Sequence, residues 1–97
     1  MQIFITDIAD NIHQDDEQLN DIISTYLFSQ GIESTVSQWR LDNYIDLRRW
    51  AYPDKEDYLD GIVKLSSSDE TVQTEGQEQI DTYTTACLAV KARFPKE

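Results

Sequence analysis

The side chains able to do chemistry are unevenly supplied in this 97-residue chain: nineteen Asp and Glu stand against eight Lys and Arg, with one histidine and one cysteine. A transition-metal site needs a cluster of His, Cys and carboxylate ligands, and His13 and Cys87 lie far apart in different predicted elements. No D-x-[DN]-x-[DN]-G loop offers calcium a cage, and the three glycines stand singly at 31, 61 and 76, so no glycine-rich loop cradles a phosphate. For nucleophilic catalysis, Ser66, Ser67 and Ser68 fall in a predicted turn without a G-x-S-x-G elbow, and His13 reads as a solvated loop residue. Paired carboxylates are abundant, but an acid with a raised pKa needs an enclosed pocket, which so small a core has little room to build. The expectation is a binding protein with no catalytic residues, metal or cofactor.

The acids themselves are the chemistry that remains. The net charge is -11, and before Arg40 there is no lysine or arginine, while Asp7, Asp10, Asp15, Asp16, Glu17, Asp21 and Glu33 contribute seven negative charges. A second basic-free window, Leu65 to Val90, carries Asp69, Glu70, Glu75, Glu78 and Asp81. Helix starts account for part of this, since carboxylates in a first turn interact favourably with free amides and the helix dipole. Asp15, Asp16 and Glu17 fit that role for one predicted helix, Glu75 and Glu78 for another. Like-charge pairs at i, i+4 (Glu17 with Asp21, Asp42 with Asp46, Glu56 with Asp60) work against an isolated helix, so helix stability does not explain them. Such neighbours sit about 5 to 6 Å apart, comparable with successive phosphates along a nucleic-acid strand. This surface disfavours direct contact with DNA, RNA or anionic membrane and favours a strongly basic partner, reached by electrostatic steering and weakened by salt.

The elements that must position these acids read as α+β in one small domain, residues 1–97, of a size that supports one modest core. Residues 2–8, QIFITDI, have the β-branched and aromatic character of a covered strand. Leu19, Ile22, Ile23, Tyr26 and Leu27 follow helical spacing, and Gly31 is a natural stop. Residues 32–39, IESTVSQW, read as a second, ragged strand. A short helix over about 41–51 ends before Pro53, and a further one over 53–60 is expected to stop at Gly61, making a helical corner. Ile62, Val63 and Leu65, then Val72 with its threonines, read as a hairpin around SSSDE; the alternative is a capping box at Ser67–Glu70 opening a helix. A final helix over about 77–93 carries Ile80, Tyr83, Cys87, Val90 and Phe94 on one face, which places Cys87 in the core. The predicted fold is thus a three- or four-stranded, mainly antiparallel sheet packed by an N-terminal helix, the short corner and a C-terminal helix.

Trp39 to Asp60, with both tryptophans, three of five tyrosines and half the basic residues, is the expected packing centre, flanked by the two acidic stretches. Its Trp39, Tyr44, Trp50, Tyr52 and Tyr58 read as core and packing aromatics rather than a base-stacking platform, which would need a basic groove. A single cysteine rules out an intrachain disulfide and fits a reducing compartment. MQIFITDIADN lacks a basic n-region, and no run of eighteen apolar residues occurs, so a soluble, monomeric, cytoplasmic protein is expected.

A short, strongly acidic chain of this kind, through DNIHQDDEQLND and SSSDETVQTEGQEQ, resembles the small phage-encoded inhibitors that imitate DNA, among them anti-restriction and anti-CRISPR proteins. It is most similar to anti-CRISPR proteins directed at the type I-F surveillance complex. The resemblance implies a stoichiometric inhibitor that occupies the lysine-rich duplex-DNA entry site on the large subunit of that complex and its neighbour. Asp7, Asp10, Asp15, Asp16, Glu17, Asp21, Glu33, Asp69, Glu70, Glu75 and Glu78 are the candidate contacts. The alternative is an immunity or antitoxin protein that neutralises a basic nuclease toxin.

Overall fold

The computed structural model describes residues 3–96, which form six helices and no strand. They are α1 (Ile5–Asp10), α2 (Asp16–Gln30), α3 (Val36–Asp42), α4 (Tyr44–Ala51), α5 (Lys55–Leu65) and α6 (Glu70–Arg93). The described chain divides into two compact units, one within Met1–Ala51 and Phe94–Glu97, the other Tyr52–Arg93.

The predicted α+β fold is therefore corrected to an all-helical one, and the reason is local at each supposed strand. Within QIFITDI, Gln2 lies outside the described residues; the rest opens α1, because the Asp7 carboxylate accepts the Phe4 amide proton at 2.7 Å and closes a first turn. Only Ile8 of that run is fully buried, and its companion is Ile12, one turn on, rather than the alternate residue a strand would bury. Within IESTVSQW, the Thr35 hydroxyl accepts the Gln38 amide at 3.1 Å and starts α3, which turns Trp39 into the core. The supposed hairpin is two helices and their joint. α5 runs on through Gly61 to Leu65, and Asp69 accepts the amides of Thr71 and Val72 at 2.8 and 3.4 Å at the start of α6. The helix of the alternative reading is thus what occurs, but it opens at Glu70 with Asp69 as its capping group, and the Ser67 hydroxyl accepts the Asp69 amide at 3.1 Å.

In the first unit α1, α2, α3 and α4 pack around Ile8, Ile12, Leu19, Ile23, Leu27, Trp39, Leu47, Ala51 and Phe94. The predicted amphipathic helix is α2, with Leu19, Ile23 and Leu27 inward and Gly31 at a φ of 66°, the left-handed conformation that ends helices. Phe94 is 1% exposed. The Arg40 guanidinium lies 5.0 Å from its ring centre, and the Arg48 Nε donates to its carbonyl at 2.8 Å. The segment expected to be the packing centre straddles the boundary between the units: Trp39, Leu47 and Ala51 are core of the first, whereas Tyr52 and Tyr58 belong to the second, where Tyr58 is 36% exposed.

The second unit is a helical hairpin of α5 and α6, and its two glycines sit inside helices rather than ending them. A Cβ at Gly76 would stand 2.6 Å from the Gly61 carbonyl oxygen and 2.8 Å from the Lys64 Cβ. One at Gly61 would meet the Ile80 side chain at 2.9 Å. The helix interiors accept glycine here because only glycine lets the two backbones cross so closely. Tyr58 and Tyr83 add a tilted ring pair at 5.4 Å, and Gln79 donates to the Asp57 carbonyl at 2.6 Å and the Asp60 carboxylate at 3.1 Å.

Candidate partner-binding surface

Seven of the eleven candidate acids lie in the first unit and four in the second. Four of them have work inside the fold. Asp7 closes the first turn of α1, Asp15 caps α2 by accepting the Gln18 amide at 2.8 Å, and Asp69 caps α6. Asp16 faces Arg40 at 3.4 Å, and the same guanidinium donates to the Asn20 side chain at 2.8 Å. Asp16, unlike its neighbours in the basic-free stretch, therefore has a counter-charge, supplied from 24 residues away in sequence.

The carboxylates of Asp10, Glu17, Asp21, Glu33, Glu70, Glu75 and Glu78 are exposed and make no hydrogen bond or ion pair within the described residues. Their placement follows from helical phase. On α2, Glu17 and Asp21 are one turn apart and opposite the buried Leu19–Ile23–Leu27 stripe. Phe28 shares this outward face and is 89% exposed. On α6, Glu70, Glu75, Glu78 and Asp81 fall within an arc of roughly 140° at 3.6 residues per turn, on the side away from Gly76 and Tyr83. Asp81 accepts from Gln77 at 2.9 Å. Of the other like-charge pairs, Asp42 and Asp46 are divided between α3 and α4; Asp42 accepts from Gln38, and Asp46 pairs with Arg49. Asp60 pairs with Lys64 at 3.3 Å. Its carboxyl is held below the ordinary carboxylate range, first by the hydrogen bond from Gln79 and then by that of Lys64 and its charge.

One shallow recess, about 130 Å³, opens between α5 and α6 beside Pro53, Asp57, Gln79, Thr82, Tyr83 and Ala86. It holds a single carboxylate, whereas two-carboxylate hydrolysis needs a second acid across the substrate. Beside it the neighbouring Cys87 thiol, and then desolvation, raise the Tyr83 phenol pKa above its usual value. Cys87 itself is half-buried, a correction to the core position expected of it. His13 is exposed. Among the described residues no three His, Cys, Asp or Glu side chains gather as a metal site would require, and no helix is long and apolar enough to cross a membrane.

Together the fold and surface define a small all-helical protein with two outward acidic helix faces. Compared with known proteins, the chain matches no family model, no curated protein and no solved structure.

Proposed function

We propose that the protein is a stoichiometric inhibitor that imitates DNA and blocks the basic duplex-binding site of a CRISPR surveillance complex, the type I-F complex being the first candidate. The observation that carries this reading is the set of seven exposed, uncompensated carboxylates, concentrated on the outward faces of α2 and α6. A carboxylate without a local cation keeps its full field for a partner, and a lysine-lined DNA channel is the surface that gains most from it. The helices hold the acids at fixed spacing, so little ordering of the inhibitor is needed on binding.

The test is displacement of fluorescently labelled target duplex from purified type I-F surveillance complex. Release complete at about one equivalent of inhibitor, at concentrations well above Kd, supports the reading. Retention of the duplex at about tenfold excess removes it for this complex.

A further inference from the structure

The second unit contains no buried large apolar side chain: the buried hydrophobic residues all lie in the first, and the second buries only Gly61 and Gly76. Meanwhile α5 turns a stripe of apolar side chains to solvent. Leu59, Ile62 and Val63, at i, i+3 and i+4, are 53%, 41% and 69% exposed, with Tyr58 and Leu65 beside them. At 3.6 residues per turn these five cover an arc of roughly 160°. Lys55 and Ser66 fall within the arc, at the first residue of α5 and at its C-terminal cap, while Glu56, Asp57, Asp60 and Lys64 fall outside it. A helical hairpin satisfies one face of each helix, and a stripe this wide calls for a second layer.

We propose that the second layer is the same hairpin of another copy, so that the protein self-associates through α5 into a twofold four-helix bundle. A second copy suits the stripe because the stripe is self-complementary: antiparallel pairing about the centre of α5 sets Leu59 of one copy beside Ile62 of the other, a contact that occurs twice, with Tyr58 and Val63 along opposite edges. The exposed parts of the five side chains amount to on the order of 900 Å² over two copies, close to the roughly 1,000 Å² floor for specific interfaces. The association is accordingly weak and concentration-dependent, and it departs from the monomer expected from sequence. Two chains of charge -11 repel, so added salt strengthens this contact, the opposite of its effect on a basic partner.

Sedimentation equilibrium of the purified protein over roughly 5 to 500 µM, at low and high salt, tests the proposal without reference to any inhibitor activity. The mass rises from 11.3 kDa toward twice that value, and more readily at high salt. Leu59→Glu and Val63→Glu, at positions exposed enough to accept the change, each raise the dissociation constant at least about tenfold with helix content unchanged by circular dichroism. Phe28→Ser, in the first unit, leaves it unaltered. A monomer at every concentration overturns the proposal, whether the stripe is then covered by the chain itself or kept for another partner. So does a dimer indifferent to both α5 substitutions.

Discussion

Replacing Gly76 by alanine tests the close crossing that holds the α6 acids in place. In an exposed helix interior that change is stabilising by about 1 kcal/mol, because alanine restricts the unfolded chain and favours helix. Here the new methyl would lie 2.6 Å from the Gly61 carbonyl oxygen, 2.8 Å from the Lys64 Cβ and 3.0 Å from the Leu65 backbone nitrogen. None of these is the free end of a flexible side chain, so relief requires the helices to separate. Overpacking of this kind costs about 1 to 3 kcal/mol, and with rigid neighbours the upper part of that range applies. After the propensity gain, the expected net loss is about 1 to 2 kcal/mol. Gly61→Ala has a milder outcome, since its nearest obstacle is a side-chain atom, the Ile80 Cγ1 at 2.9 Å, and the backbone obstacle, the Gly76 carbonyl oxygen, stands at 3.1 Å rather than 2.6 Å. Native-state hydrogen exchange resolves this unit from the other: mid-α6 amides in Gly76→Ala exchange about tenfold faster for each 1.4 kcal/mol lost, and in Gly61→Ala less so. Slower exchange in Gly76→Ala would refute the close crossing, and equal effects at the two positions would refute the distinction between rigid and movable obstacles.

Three further outcomes follow from the same contacts. Phe94→Ala removes a fully buried ring that lies under the Arg40 guanidinium and costs the first unit about 3 to 5 kcal/mol, read as a fall in the urea midpoint of the fluorescence of Trp39 and Trp50, both in that unit. Because the Asp60 carboxyl has a lowered folded pKa, its bonds to Gln79 and Lys64 stabilise the hairpin above the unfolded value of 3.8 and are lost as pH falls through the folded one. Asp60→Asn should flatten that part of the acid unfolding curve, and an NMR titration of the Asp60 side-chain carboxyl carbon gives the shift directly. Asp21→Lys turns a like-charge i, i+4 pair with Glu17 into an attractive one and stabilises α2 by a few tenths of a kcal/mol, while weakening displacement of DNA from the surveillance complex.

What could be read from sequence depended on which signal each segment carries. α2, α4 and the second half of α6 are legible because their apolar residues keep helical period and their ends carry Gly31, Pro53 and Pro95. The predicted strands fail because β-branched content is a weaker signal there than single capping residues. Asp7, Thr35 and Asp69 each satisfy the free amides of a first turn, and the T-x-x-Q spacing of Thr35 and Gln38 was a visible sign of a helix start. Gly61 reads as a helix stop because its reason, a backbone crossing with Gly76, involves two segments at once. For the surface, exposure of the acids was legible from their type and phase. The pairing of Asp16 with Arg40 across 24 residues was not, and neither was the seating of Phe94 between two arginines.

The most direct test of the central proposal is the salt dependence of affinity for the type I-F surveillance complex, comparing the wild-type chain with a variant carrying Glu17→Gln, Asp21→Asn, Glu75→Gln and Glu78→Gln. These four carboxylates are exposed and have no partner in the fold, so the variant should keep its helix content. The account predicts tight binding by the wild type that weakens steeply as salt rises, and a variant that binds at least about tenfold more weakly with a shallower dependence. Binding that is unmoved by salt and by the four substitutions would contradict it.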